Sequence, residues 1–280
     1  MPEPRRRSRT RRPRYTAATA DRHVLYQLAV QNVQTEIDFV DDTYRDLRGR
    51  RASRLREDFC GTANTACEWV RRRRTNTAVG LDLDQATLDW GLAHNVASLS
   101  PSQSKRIRLL RRDVCHGGRG TGSMDVILAM NFSYWAFFTR DLMRGYFDAV
   151  RRSLAAGGVF FLDFYGGWEA SKIMTERRDI DGKFTYVWDQ ASLDPISNRM
   201  TCHIHFQFKD GSKMRRAFSY QWRLWSLPEI RELLDEAGFA RSTVYWEGDD
   251  EDSDGGDGQF EPADSAENCP SFIAYIVAEK

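Results

Sequence analysis

Two short segments carry the clearest chemistry in this chain. Leu55 to Trp69 reads LREDFCGTANTACEW, and Ala78 to Leu92 reads AVGLDLDQATLDWGL. In the first, a short run ends at Glu57 and at a turn containing Gly61, and helix-forming residues follow. In the second, an apolar run ends in the carboxylate of Asp82, about twenty positions after the glycine. This is the layout of a nucleoside site on a parallel sheet. A glycine turn lets a ligand approach the backbone, a helix start offers free N–H groups, and an acid after the second strand can accept from both ribose hydroxyls. The same spacing would serve a dinucleotide enzyme. Asp84, two residues on, suits the N-cap of the next helix.

Other constellations are weaker. His203 and His205 stand at i and i+2, on one side of a strand, with no evident third ligand for a metal. Asp250, Asp252, Asp254, Gly255 and Glu261 match an EF-hand loop in part. However, Asp257 stands where an apolar residue belongs, a strand leads in, and Pro262 follows at once. A solvated acidic loop is the expectation there, and no metal is expected anywhere.

These residues need elements to hold them. Residues 1–20 read as a disordered tail, and apolar spacing from Arg22 to Leu47 predicts one or two helices. Short strands then alternate with helices. The strands are Arg54–Phe59, Thr77–Leu83, Ile107–Leu110, Met124–Met130 and Gly158–Phe164. The helices are Thr62 to about Arg72, Gln85–Ala97 and Arg140–Leu154, the last capped by Ala156-Gly157-Gly158. That alternation predicts a parallel sheet with right-handed crossovers. Phe184–Gln190, Arg199–Phe208 and Lys213–Trp225 alternate at period two and are rich in aromatics. They predict an antiparallel insertion within 168–225, turning at Lys209-Asp210-Gly211-Ser212. Leu227–Ala237 returns to helix with Gly238 as its cap. Ala240–Trp246 and Ser271–Val277 finish as strands around an acidic loop, 247–268.

Composition sets the bounds. The chain has 280 residues, 41% of them apolar, enough for a sizeable core. Net charge is +1, which argues against a wholly basic nucleic-acid binder. The charge is uneven: Arg5, Arg6, Arg7, Arg9, Arg11, Arg12 and Arg14 crowd the start, and residues 249–261 carry seven acids and no base. Five scattered cysteines with no CxxC fit reduced thiols in the cytoplasm. No apolar stretch is long enough to predict a membrane span.

The strand–turn–helix at Glu57–Cys67, the acid at Asp82, Asp113-Val114 after the third strand, and an insertion before a closing helix–strand hairpin together resemble class I S-adenosylmethionine-dependent methyltransferases. The resemblance covers roughly residues 24–280. The segment YQWRLWSLPEIRELLDEAGF is similar to one shared by many small-molecule N- and O-methyltransferases. The resemblance implies an α/β fold: a Rossmann-like, seven-stranded, mostly parallel sheet with an antiparallel insertion between strands five and six. It implies S-adenosylmethionine as cofactor, held by Glu57, Phe59, Cys60, Gly61, Asp82, Leu83, Asp113, Val114 and Asn131. Asp113 would accept from the adenine amine, and Val114 would offer a backbone N–H. Phe59 and Ala63 stand where the family motif has its first and third glycines.

The same resemblance places Asn131-Phe132-Ser133-Tyr134-Trp135 and Asp163-Phe164-Tyr165 at the edge where methyl meets acceptor, with Asn131, Tyr134 and Tyr165 as catalytic candidates. Methyl transfer from a sulfonium is an in-line displacement that needs positioning and exclusion of water. A hydroxyl acceptor needs a base, for which His116, His203, His205, Tyr165 and Tyr220 are candidates. An amine needs only to lose a proton. The aromatic insertion would wall the acceptor pocket. The expected function is methylation of a small-molecule amine or hydroxyl. A protein or nucleic-acid methyltransferase and a non-catalytic nucleoside binder are the alternatives, and aminopropyl transfer is weaker still. Nucleic acid is a disfavoured partner, because the run after strand four lacks the Pro-Pro of adenine-type enzymes.

Overall fold

The computed structural model describes residues 15–249 and 256–280. Their contacts divide into two compact units. One gathers residues 15–31, 173–192 and 201–220, and the other takes the rest.

The larger unit is built on an eight-stranded sheet. Strands β1 (Arg54–Asp58), β2 (Thr77–Asp82), β3 (Ile107–Arg111), β4 (Met124–Ala129) and β5 (Leu154–Gly166) run parallel in the order β5-β4-β1-β2-β3. Beyond β5 lie β12 (Phe272–Glu279), β10 (Arg241–Asp249) and β11 (Gly256–Ala263), each antiparallel to the strand before it. The chain winds outward from β1 in both directions. The carboxyl end of β1 is therefore the point where strand order reverses and a crevice opens for ligands. Glu57 and the 59–63 turn sit there.

The helices of this unit are α2 (Val33–Arg48), α3 (Asn64–Arg72), α4 (Gln85–His94), the short α5 (Pro101–Ser104), α6 (Arg140–Ser153) and α7 (Leu227–Glu236). Their apolar stripes close on the sheet. Ile37, Val40 and Tyr44 of α2, and Ala66, Cys67 and Val70 of α3, join Leu55, Val126, Leu128 and Phe161 in one buried cluster. On β1, Arg56 and Asp58 share the opposite face and are both buried. Arg56 donates to both Asp58 oxygens at 2.7 and 2.8 Å, and the buried Tyr146 hydroxyl of α6 donates to Asp58 at 2.9 Å. That ion pair fixes α6 against β1. Asp58 therefore faces away from Glu57, and only Glu57 points to the α2–α3 side.

The smaller unit is a four-stranded sheet, β6 (Met174–Ile180), β7 (Phe184–Asp194), β8 (Arg199–Phe208) and β9 (Lys213–Arg223), in that order, with helix α1 (Arg22–Val30). Leu25 and Ala29 of α1 pack with Phe184, Ile204, Phe206 and Phe208. The first helix thus belongs with the insertion.

Several expectations change. Strand β6 reads MTERRDI, is mostly exposed and pairs antiparallel with β7. An edge strand with a polar composition leaves no alternating signal. The expected seven-stranded sheet gains an eighth strand, β11, from inside the segment read as acidic loop. Phe260 anchors it, with its ring 5.8 Å from Phe39 and 4.6 Å from Tyr275. The glycines after α6 are not its cap: Leu154 is already extended and pairs with Met124, so β5 starts four residues early.

Candidate cofactor and acceptor site

The turn after β1 keeps a glycine-like backbone with few glycines. Phe59, Gly61 and Ala63 have φ of 55°, 50° and 56°, all left-handed. The conformation that the missing glycines would supply is therefore present, at roughly 1–2 kcal/mol for each non-glycine residue. Phe59 offsets its share by packing, with its ring 5.6 Å from Tyr146 and 6.0 Å from Phe137. Cys60 is buried and serves through its backbone: its N–H donates to Leu81 at 2.9 Å and its carbonyl accepts from Ala63 at 2.7 Å. Burial pushes the Cys60 thiol well above its ordinary pKa. Two close approaches lock the turn to its neighbours. A Cβ at Gly80 would meet Cys60 Sγ at 2.7 Å, and one at Gly91 of α4 would meet the Thr62 carbonyl oxygen at 2.6 Å.

Asp82 ends β2 beside this turn. Its Oδ2 accepts from the Gly61 N–H at 2.8 Å, and its Oδ1 accepts from the Asp84 N–H at 2.9 Å. An ionised carboxylate has about four acceptor sites, so one remains on each oxygen, matching a vicinal diol. Asp84 caps α4 by accepting from Ala86 and Thr87. Leu83, between them, is a large apolar side chain that is 65% exposed. A flat ring could lie on it. Asp113 and Val114 follow β3. Asp113 accepts from the Cys115 N–H at 2.9 Å and heads a single helical turn, with its side chain half open to solvent. Val114 is buried.

Glu57 is buried and accepts from the Ala66 N–H at 2.9 Å. It thereby caps α3, whose own N-cap, Ala63, has no side chain to do so. Burial raises its pKa to about 8, with repulsion from Glu36 and Asp82 adding to the effect. Glu36, on the first turn of α2, is the residue the sequence did not flag. Thr65 Oγ1 donates to it at 3.4 Å, and burial raises its pKa to about 7. Asp163 of β5 behaves alike: burial raises it to about 7, against the N–H groups of Phe132 and Asn131, which it accepts at 2.9 and 2.6 Å. Glu36, Glu57 and Asp163 repel one another in part, and no cation pairs with any of them among the described residues. The only signal for Glu36 was an acid inside an amphipathic helix, which ordinarily means a solvated face.

Asn131 and Phe132 follow β4 with φ of 58° and 54°. Two successive left-handed residues are strained, and the Asp163 carboxylate holds both N–H groups. Tyr165 is half-buried, with its ring 5.9 Å from Phe132, and Trp135 stands 5.9 Å from Trp222. Tyr134 corrects the expectation of a substrate-facing group. It is fully buried and its hydroxyl donates to the Asp163 carbonyl at 2.7 Å, so it braces the strand from within the core.

The base candidates of the insertion have structural partners. His203 lies 2.8 Å from the Ser219 hydroxyl. His205 Nδ1 accepts from the Arg216 N–H at 2.8 Å, which leaves its Nε2 to donate to Asp189 at 3.3 Å. His116 is exposed near Asp113. Burial raises the Tyr220 phenol well above its ordinary value, away from any useful range for a base. Among the described residues, no group of three or more His, Cys, Asp or Glu could hold a metal. Of the EF-hand-like acids, 250–255 lie outside those residues, and Glu261 is part of β11. The Arg-rich tail, 1–14, also lies outside them. No described helix is long and apolar enough to cross a membrane.

No protein-family model and no curated protein sequence matches the chain. Solved structures do. An S-adenosylmethionine-dependent methyltransferase from Clostridium acetobutylicum has a TM-score of 0.64 at 17% identity, covering 92% of this chain and 96% of its own. The methyltransferase CcbJ from Streptomyces caelestis gives 0.65 at 15%, covering 90% and 97%. The sugar N-methyltransferase KedS8 from Streptoalloteichus gives 0.62 at 13%, covering 100% and 99%. At these identities the likeness is one of fold, and the fold of this chain is that of the solved S-adenosylmethionine-dependent methyltransferases.

Proposed function

We propose that this protein is an S-adenosylmethionine-dependent methyltransferase acting on an amine of a small-molecule acceptor. The observation that carries the proposal is Asp82. It is locked to Gly61 at the switch point of the sheet, with spare acceptor sites for a ribose diol and an open apolar neighbour, Leu83, for adenine. The other residues fit the cofactor's charge. Glu36, Glu57 and Asp163 are carboxylates that burial holds partly protonated, and a site of this kind gains from a cationic guest. Bound there, the cofactor supplies an electrophilic methyl on a sulfonium. The Phe59, Gly61 and Ala63 turn would bring backbone N–H groups to its methionine end, and Asp113 and Val114 would border the adenine.

An amine is favoured over a hydroxyl because, among the described residues, no strong base faces the acceptor edge. Tyr134 is committed to the core, whereas Asp163, near pH 7, is suited to taking a proton from an ammonium. Asn131 and Tyr165 would orient the acceptor, and the aromatic side chains of Phe132, Trp135 and Trp222 would exclude water. Similar structures include an amino pentose methyltransferase, a sugar N-methyltransferase and a glycopeptide N-methyltransferase, which supports an amine carried on a sugar-like body. Five free cysteines support a reducing compartment such as the cytoplasm. The test is methyl transfer from isotope-labelled S-adenosylmethionine to a panel of amino sugars, read by mass spectrometry. Labelled product that disappears in Asp163→Asn supports the reading. Absence of transfer across amines and hydroxyls, despite cofactor binding, would leave a nucleoside-binding protein instead.

A further inference from the structure

Tyr275 stands on β12 directly opposite Asp163 of β5, within the larger unit. In sequence it reads as core, because β12 is an apolar run, FIAYIVAE. Its ring is core. It stacks on Phe39 at 4.4 Å and 20°, and it meets Phe260 edge-on at 4.6 Å. The residue is only 8% exposed. Its hydroxyl differs. That group has no hydrogen-bond partner among the described residues, yet the oxygen keeps some accessible surface, unlike the sealed hydroxyl of Tyr44. Buried polar groups are rarely left unpaired, so something arriving from the open side must satisfy it.

The charged groups that act on this hydroxyl are acids. Burial, then the charges of Glu36, Asp163 and Glu247, hold the phenol well above its ordinary pKa. It therefore stays a neutral hydroxyl with lone pairs to offer. Glu247 of β10 is half-buried. Its Oε1 accepts from the Gly258 N–H at 3.2 Å, and its Oε2 has no hydrogen-bond partner among the described residues. Burial raises its pKa, and repulsion from Asp257 adds to the effect. No cation pairs with Glu36, Asp163 or Glu247 among the described residues. Tyr245 is the register partner of Tyr275, so Glu247 lies two residues along the neighbouring strand, on the same face. Long side chains reach across such a diagonal of roughly 7–8 Å. The register pair Tyr165 and Ile273 continues this face, and Ile273 is 44% exposed.

We propose that Tyr275 and Glu247 form the subsite that receives the acceptor's ammonium. The Tyr275 hydroxyl oxygen and Glu247 Oε2 each accept one N–H. Asp163 stands one strand away to take a proton: the N–H bond breaks, its electron pair stays on nitrogen, and the proton passes to the carboxylate. The inference rests on the methyltransferase reading above and deepens it. The acceptor is recognised as a cation with at least two N–H groups, which means a primary or secondary amine. A hydroxyl would bring one donor and no charge, and a quaternary ammonium would bring charge and no donor. Tyr165 and the open Ile273 give the carbon body an apolar wall. The position separates this guest from the cofactor. Asp82 ends β2, whereas β12 lies three strands from β1 on the other side, about 14 Å away.

The test labels the ten tyrosines of the full chain with ¹³C at the ring carbon that bears the hydroxyl, and assigns Tyr275 by the peak lost in Tyr275→Phe. Cyclohexylamine and its N,N,N-trimethyl derivative are titrated near neutral pH, with and without S-adenosylmethionine. Both carry one positive charge on the same ring, and only the first has N–H donors. Cyclohexylamine moves the Tyr275 peak, and the trimethyl compound does not. Tyr275→Phe keeps the stacked ring. It weakens cyclohexylamine about tenfold, with melting temperature and cofactor affinity unchanged. Glu247→Gln, which keeps an acceptor for Gly258, also weakens it. A Tyr275 peak unmoved by millimolar cyclohexylamine means that a water satisfies the hydroxyl, and it overturns the proposal. So does equal movement by both compounds, or a Tyr275→Phe variant that melts lower yet binds the amine as tightly as wild type. Movement by S-adenosylmethionine alone, as large as that by the amine, gives the hydroxyl to the cofactor and overturns it too. Cofactor binding with a Tyr275 peak silent to amines sinks this subsite alone. Amine-specific movement without cofactor binding keeps the subsite and removes the methyltransferase reading.

Discussion

Phe59 shows how opposing magnitudes settle a residue's role. Its left-handed φ costs roughly 1–2 kcal/mol, and glycine would remove that cost. Glycine would also delete a ring packed on Phe137 and Tyr146, and such losses run to about 3 kcal/mol or more. Phe59→Gly, although it restores the motif glycine, should therefore destabilise the protein by about 1–2 kcal/mol in urea unfolding. A more stable variant would show that the ring contributes little. Glu57 gives a pH signature. Burial raises its pKa to about 8 in the folded chain, against an ordinary value of 4.5. Between those values the folded state holds a proton that the unfolded state has lost, so stability is fully present at acid pH and falls as pH rises through about 8. Glu57→Gln should flatten the decline in melting temperature between pH 5 and 8. An unchanged slope would assign the decline to Glu36 and Asp163. At this scale the sequence was legible where a side chain acts close to its own segment, as with Asp84 capping α4. It was not legible where burial decides. Tyr134 and Tyr165 look alike in sequence, yet one is core and the other borders a cavity. Glu36 reads as a surface acid until α2 is packed against α3 and β5.

Packing between elements holds the site together. Helix α4 touches the 59–63 turn through Gly91, where an added Cβ would meet the Thr62 backbone at 2.6 Å, and Asn95 Nδ2 donates to the same carbonyl at 2.9 Å. Gly91→Val must push helix from turn. The expected cost is about 1–3 kcal/mol, with a further loss of cofactor affinity beyond any change in fold content. A variant that melts lower yet binds cofactor as tightly as wild type would show that α4 does not set the turn. Most elements were legible because burial imposes a period. β2, β4 and β5 are apolar runs, and β7, β8 and β9 alternate, whereas β1 reads RLRED and is placed by the turn and helix that follow it. The exceptions have physical reasons. β6 is an edge strand with a polar sequence, and β11 is an acidic strand anchored by the half-buried Phe260. The glycines after α6 mimic a cap, although pairing between Leu154 and Met124 has already drawn the chain into β5.

At the scale of the whole molecule, the strand order places Glu57, Gly61, Asp82, Asn131 and Asp163 at the carboxyl ends of neighbouring strands, although they lie far apart in sequence. The order was readable because alternating strands and helices leave few topologies once crossovers are right-handed. The grouping of α1 with the insertion was not, since its apolar face is as fit for either sheet. The central claim is that this edge binds S-adenosylmethionine through Asp82. Calorimetric titration of the full chain with S-adenosylmethionine tests it most directly, alongside Asp82→Ala and the melting temperature of each. The account predicts saturable one-site binding, weakened at least about tenfold by Asp82→Ala in a protein that still folds. Absence of binding heat from the wild type, or equal affinity in the variant, would contradict it.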